Sequence, residues 1–236
     1  MEFTEFQMHN IRQADYEKVK GLDDMLTEED KKEIQNRLKT MIEPVTLVYF
    51  TQQLIGPCRF CLETEQLLKE LAPLSDKLSL EIKNFIGDRE DVQKFGVDKI
   101  PAICLTGERD YGIRMYGIPT GYEFLTFLET ILRISSKDSG LSQDSRNALK
   151  GLKKPVHIQI FVTPTCPYCP RAAMTGFQFA MESEMVRCDV VEITEFPHLT
   201  QKYGVMGVPK IVINEKGGFE GALPENQFLN QLLQAV

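Results

Sequence analysis

One chemical device occurs twice in this chain, and that repeat limits what the chain can fold into. Cys58-Arg59-Phe60-Cys61 recurs 108 positions later as Cys166-Pro167-Tyr168-Cys169. In each copy a proline follows the first cysteine by 43 residues: Pro101 after Cys58 and Pro209 after Cys166. The approaches to those prolines also match, Phe95-Gly96-Val97-Asp98-Lys99-Ile100 against Tyr203-Gly204-Val205-Met206-Gly207-Val208. A single CxxC pair has many readings. Two pairs in matched settings, each with its proline at the same offset, predict two redox modules in tandem.

At 236 residues the chain suits two small domains better than one large one. Six cysteines are too sparse for a disulfide scaffold and point to metal ligation or redox catalysis in a reducing compartment. The net charge of -7 argues against a nucleic-acid partner and against an anionic membrane surface. No apolar run approaches the length of a membrane span, and the start Met1-Glu2-Phe3-Thr4-Glu5-Phe6 does not read as a signal peptide. The expected location is cytoplasmic.

The repeat extends beyond the cysteines. Thr27 and Ser142 are placed to cap a first helix in each half. Apolar β-rich runs follow, Val45 to Phe50 and Val156 to Phe161, and then the CxxC segments at helix starts. Second strands are expected over 78–85 and 186–193. Third strands open at the prolines, over 102–105 and 210–213, and fourth strands lie over 110–115 and near 218–221. Closing helices are expected over 122–134 and 225–235. Strands alternating with helices predict an α/β layered unit, present twice. The polar stretch Ser135 to Gly140 is the natural boundary. The expected division is an extension at 1–21, a first unit at 22–134, a linker at 135–140 and a second unit at 141–236.

A CxxC at a helix start suits thiol–disulfide exchange. Free backbone N–H groups and the positive helix end stabilise a thiolate on the first cysteine. In such motifs its pKa falls from ~8.5 to between ~3.5 and ~7. Cys58 and Cys166 are therefore expected to be the nucleophiles, and Cys61 and Cys169 the resolving thiols. Pro167 suits the first helical position, whereas Arg59 adds a positive charge near Cys58. Pro101 and Pro209 are expected to follow cis bonds, leaving the backbone of Ile100 and Val208 to pair with an extended substrate segment. The competing reading is a four-thiolate zinc site. The 104 residues between Cys61 and Cys166 far exceed compact zinc-ribbon spacing, so no metal or other cofactor is expected beyond the disulfides Cys58–Cys61 and Cys166–Cys169. Cys104 and Cys188 have the apolar repeat equivalents Val212 and Leu80 and are expected to be buried strand residues. His9, His157 and His198 are scattered, and His157 reads as structural.

The stretches Phe161 to Pro170, Val205 to Ile213 and Tyr116-Gly117-Ile118-Pro119-Thr120-Gly121-Tyr122-Glu123-Phe124 resemble the protein disulfide oxidoreductases of archaea and thermophilic bacteria. These are glutaredoxin-like, protein disulfide isomerase-like proteins. The resemblance covers about 22 to 236. It implies an α/β fold of two tandem thioredoxin-like units, with a mixed central sheet of four plus four strands flanked by helices. It also implies reduction, oxidation and isomerisation of protein disulfides, with a thioredoxin-reductase-like flavoprotein as electron donor. By the same resemblance, Cys166 and Cys169 form the stronger reductase site. Two departures stand out. The loop Leu54-Ile55-Gly56-Pro57 makes the first site's approach three residues longer than the second's. The positions near Tyr49 and Ile160 lack the buried carboxylate that thioredoxins carry before CxxC, so another group or water must help deprotonate Cys61 and Cys169. The alternatives are a glutathione-dependent glutaredoxin and an electron-relay module of a peroxide-reducing system.

Overall fold

A computed structural model of the protein describes residues 24–52 and 58–236. The predicted extension 1–21, His9 and the loop Leu54 to Pro57 lie outside the described residues. The first half contains α1 (Glu28–Leu38), β1 (Val45–Thr51), α2 (Cys61–Leu71), β2 (Leu78–Asn84), α3 (Arg89–Phe95), β3 (Ala102–Thr106), β4 (Asp110–Tyr116) and α4 (Tyr122–Ser136). The second contains α5 (Gln143–Lys150), β5 (Val156–Val162), α6 (Cys169–Glu182), β6 (Val186–Glu192), α7 (Pro197–Lys202), β7 (Lys210–Ile213), β8 (Gly217–Glu220) and α8 (Glu225–Gln234).

The helix starts follow from their caps. The Asp30 N–H donates to Thr27 Oγ1 at 3.1 Å and the Thr27 N–H to the Asp30 carboxylate at 3.0 Å, a capping box. Ser142 accepts from the Ser145 N–H at 3.3 Å, and its own hydroxyl donates to Glu225 at 2.6 Å, tying α5 to the first turn of α8. α4 runs to Ser136, so its last two residues occupy the start of segment 135–140. Ser135 is held there by the chain entering β1: its hydroxyl donates to the Glu43 carbonyl at 2.6 Å and accepts from the Ile42 N–H at 2.8 Å. Lys137, with φ of 57°, then ends the helix.

The eight strands of the described residues form one mixed sheet in the order β2-β1-β3-β4-β6-β5-β7-β8. Each half contributes the same four-strand order, so the halves are stacked in translation along the sheet. The join is the parallel pairing of β4 with β6, which sets Ile113 opposite Cys188, Arg114 opposite Asp189, Met115 opposite Val190 and Tyr116 opposite Val191. The fold is thus two tandem thioredoxin-like units sharing a mixed central sheet flanked by helices.

Alternation along the strands divides the core in two, because successive side chains point to opposite faces. One face gathers Leu47, Tyr49, Ile103, Leu105, Ile113, Met115, Ile158, Ile160, Cys188 and Val190 under α1, α2, α4, α5, α6 and α8. The other gathers Val48, Phe50, Cys104, Tyr116, Phe161 and Val191 under α3 and α7. Among the described residues no helix is long and apolar enough to cross a membrane.

The join also carries charge. Asp189 is buried, and Arg187 grips it in a fork at 2.8 and 3.0 Å while His157 Nε2 lies 2.8 Å from its Oδ2. Burial alone would raise this carboxyl, but the hydrogen bonds from His157 and Arg187 hold it below its ordinary value. His157 is therefore structural, as expected from its place in a strand. Across the join Arg114 is likewise buried, paired with Asp110 at 2.6 and 2.7 Å and donating to the Phe95 carbonyl at 2.9 Å. Asp189→Asn should destabilise the protein by about 2–3 kcal/mol in urea unfolding, below the full ~3–5 kcal/mol for breaking a buried pair because Arg187 and His157 retain access to water. An unchanged midpoint would remove this pair from the account of how the halves are held.

Candidate active site

Both CxxC pairs are closed as disulfides at the first residue of a helix. Cys58 joins Cys61 at the start of α2, and Cys166 joins Cys169 at the start of α6, each with Cα atoms 5.5 Å apart. In the second pair the Cys169 N–H donates to Cys166 Sγ at 3.2 Å, so the free amide at the helix start is aimed at the first sulfur. The outer cysteines differ in access, since Cys58 is half-buried whereas Cys166 is only 7% exposed. Cys61 and Cys169 are buried. In the first pair the Tyr49 hydroxyl donates to the Cys61 carbonyl at 2.7 Å, and the Arg59 guanidinium lies 5.0 Å above the Phe60 ring. One expectation needs correction. α6 begins at Cys169, so Pro167 lies in the turn before it, and Pro170 takes the place near the helix start that suits a residue without an N–H.

Ile100-Pro101 and Val208-Pro209 are both cis, as the repeat predicts. Pro101 and Pro209 are buried, while Ile100 and Val208 are half-buried. The Val208 carbonyl oxygen lies 3.6 Å from Cys166 Sγ, which brings the predicted backbone position to the sulfur. Each proline carbonyl accepts from a glycine just beyond the fourth strand, Gly117 to Pro101 at 3.0 Å and Gly221 to Pro209 at 2.8 Å. Around the second pair Tyr168 is 69% exposed and Met206 92% exposed, leaving apolar surface in water.

The Thioredoxin domain family matches residues 156–234. A protein disulfide oxidoreductase from Aeropyrum pernix superimposes with a TM-score of 0.83 at 32% identity, over 90% of this chain and 93% of that one. The chain belongs to the protein disulfide oxidoreductase family. The NTD_N/C domain of alkylhydroperoxide reductase AhpF from Enterococcus faecalis shares the fold, with a TM-score of 0.80 at 24% identity over 88% of this chain and 99% of that one. An alkyl hydroperoxide reductase protein of Pseudomonas aeruginosa is 22% identical over 84% of this chain and 36% of its own length. The chain spans about a third of the length of the curated relatives it matches, 30 to 38% of each.

The chain lacks a carboxylate on the strand before either CxxC, but the join between its halves supplies buried acids that sequence reasoning missed. Gly121 (φ 58°) leads the chain into α4, and a Cβ there would meet the Pro164 carbonyl at 2.3 Å, so only glycine lets the two backbones touch. The next N–H, of Tyr122, donates to that carbonyl at 3.0 Å. Glu123 follows, 3% exposed, with neither carboxyl oxygen partnered among the described residues. Burial, reinforced by the Glu192 charge, pushes its carboxyl up to about 8. Glu192 is buried too, and burial raises it even though it accepts from Thr194 Oγ1 at 2.5 Å and the Glu195 N–H at 2.9 Å. The signal in the sequence was a glutamate after two glycines, at the head of the apolar helix α4.

Cys104 and Cys188 are free and buried on opposite faces of the sheet, which rules out a bond between them. Burial pushes the Cys104 thiol up to about 12 and raises that of Cys188 well above its ordinary value, so neither is a nucleophile at neutral pH. Among the described residues no group of three or more His, Cys, Asp or Glu side chains is placed to hold a metal ion.

Because Glu123 binds its proton more tightly folded than unfolded, its stabilising share is complete below its ordinary value of 4.5 and lost as pH rises through about 8. Urea midpoints should therefore fall across that interval, and Glu123→Gln should flatten part of the slope. Identical slopes in the two proteins would contradict a protonated Glu123.

Proposed function

We propose that the protein is a dithiol–disulfide oxidoreductase acting on protein thiols and disulfides, with Cys58–Cys61 and Cys166–Cys169 as its two exchange sites. The observation that carries this reading is the second site. There a closed CxxC heads a helix, one backbone amide is aimed at the outer sulfur, and the Val208 carbonyl lies against that sulfur. The division into units at 22–134 and 141–236, joined by 135–140, belongs to the same reading. It is supported by the left-handed stop at Lys137 and the new cap at Ser142.

In the reducing direction the Cys166 thiolate attacks a substrate disulfide. The substrate S–S bond breaks, a Cys166–substrate mixed disulfide forms, and the first substrate sulfur leaves and takes a proton. Cys169 gives up its proton and attacks Cys166 Sγ, closing the disulfide and releasing the second substrate thiol. Two electrons pass to the substrate, and a dithiol donor must restore the site. A thioredoxin-reductase-like flavoprotein is the donor we propose for that step. Cys58 and Cys61 follow the same steps in the first site. Ile100-Pro101 and Val208-Pro209 are the segments we assign to backbone pairing with an extended substrate, beside the exposed Met206 and Tyr168. Glu123, buried next to the strand–helix loop of the second site, is the group best placed to take and return the Cys169 proton. A cytoplasmic setting suits the two unpaired buried thiols.

A second reading, an electron-relay module for a peroxide-reducing system, is favoured by the similarity to the Pseudomonas aeruginosa alkyl hydroperoxide reductase protein over 84% of this chain. It predicts a marked preference for one partner over generic disulfides. In the leading reading Cys166→Ser abolishes most of the insulin-reducing activity, and unchanged turnover in that variant would refute the assignment.

A further inference from the structure

We propose that Glu195, contributed by the second unit, is the proton-exchanging group for the CxxC of the first unit. The inference rests on the reading of Cys58–Cys61 as an exchange site and adds to it a residue from across the join. The geometry is specific. Glu195 stands in the loop between β6 and α7, and the pairing of β6 with β4 carries that loop to the end of β4. There the Ile118 N–H donates to Glu195 Oε1 at 2.7 Å. The residue before it, Gly117, has φ of 98° and donates to the Pro101 carbonyl beside the first site. A Cβ at Gly117 would lie 2.7 Å from both Glu195 Oε1 and Glu192 Cβ, so glycine is what admits the carboxyl to this position.

The other carboxyl oxygen, Oε2, is buried with no hydrogen-bond partner among the described residues. A buried acceptor left unmade costs stability, which is reason to look for a use. Among the described residues, the charged groups that act most on Glu195 belong to the first site or to the join. Arg59 lies between the two cysteines, Glu63 is in the first turn of α2, and Glu192 lies three residues before Glu195. Tyr49, whose hydroxyl holds the Cys61 carbonyl, feels the Glu195 charge in turn. Burial is the main cause that pushes the Glu195 carboxyl up to about 8, with Glu192 and Glu63 adding to it and the Ile118 N–H and Arg59 opposing. An acid in that range gives and takes protons at neutral pH with little driving force either way.

The arrangement runs one way because the units are stacked in translation. The position 108 residues before Glu195 is Gly87, in the loop after β2. β2 is an outer strand of the sheet, so among the described residues no further unit lies beyond it to receive a side chain. With a substrate held on Cys58, the Cys61 thiol passes its proton to the Glu195 carboxylate. The Cys61 thiolate forms the bond to Cys58 Sγ, the Cys58–substrate bond breaks, and the departing substrate thiolate receives the proton from the Glu195 carboxyl. In the oxidising direction the same proton moves in reverse.

The test uses the full chain and reads each site separately, by acid quench, alkylation and peptide mass mapping. Glu195→Gln keeps an oxygen for the Ile118 N–H but cannot take the proton. It should slow closure of Cys58–Cys61 about tenfold at pH 7, less than the ~10²–10⁴ of a group in direct contact with the reacting atoms. It should also remove an inflection near pH 8 from the first site's rate profile and leave Cys166–Cys169 unaffected. Glu195→Asp should restore the inflection. Arg59→Gln, at an exposed position that does not threaten folding, should move the inflection to higher pH because the opposing positive charge is gone. Closure rates at the first site that are equal in native and Glu195→Gln protein, or an inflection unmoved by Arg59→Gln, would overturn the role of Glu195. A first site that fails to cycle in the native protein would instead overturn the reading beneath it.

Discussion

Everything distinctive about this molecule depends on the parallel pairing of β4 with β6. Without it the chain would be two small units, each with two open sheet edges and the marginal core of a domain of about a hundred residues. With it the sheet is continuous, the apolar faces of both units merge under one layer of helices, and among the described residues only β2 and β8 remain as edges. The pairing is anchored on both sides by ion pairs with one partner in the core and the other reaching water, Arg114 with Asp110 and Asp189 with Arg187, which face α3 and α7. Stacking in translation rather than about a two-fold axis means that each unit meets its neighbour through a different surface.

That asymmetry reaches the chemistry. The join gathers Glu123 from the first unit with Glu192 and Glu195 from the second. At least two of them are kept protonated in part near neutral pH by burial and by each other. A carboxyl on the strand before CxxC would serve only its own site. Carboxyls at the join lie between the units: the Tyr122 N–H, next to Glu123, donates to the Pro164 carbonyl of the second half, and Glu195 of the second half accepts from the Ile118 N–H of the first. The two exchange sites therefore differ in more than their dipeptides. The first has a half-buried outer cysteine and an arginine coupled to two glutamates, and the second has a nearly buried outer cysteine against the Val208 carbonyl.

Much of this was legible beforehand, for physical reasons. Strand positions followed from short β-branched runs at matched offsets. The caps at Thr27 and Ser142 followed from hydroxyls ahead of acidic first turns. Cys104 and Cys188 were placed in the core by their apolar equivalents Val212 and Leu80. The residues alone did not show the join, which only the family resemblance implied, because β4 and β6 carry nothing that distinguishes partners from strands facing solvent. Arg114 and Asp189 look like ordinary polar alternation until they are set opposite each other. Glu123 and Glu195 were passed over for a related reason: an acid at a helix start and an acid in a loop are among the most solvated positions in proteins. The clues were the glycines beside them, Gly117 and Gly121, whose missing side chains make room for a carboxylate in one case and a carbonyl in the other. Helix α6 starting at Cys169 rather than at Pro167 was a matter of two prolines competing for one place.

The most direct test is a redox titration of the full chain over a series of glutathione ratios, quenched by acid and read by alkylation and peptide mapping. Two separate reversible disulfides, Cys58–Cys61 and Cys166–Cys169, should appear with different midpoints, while Cys104 and Cys188 stay as thiols throughout. A single transition shared by all four CxxC cysteines, or pairs that react only after a chelator is added, would contradict two independent exchange sites.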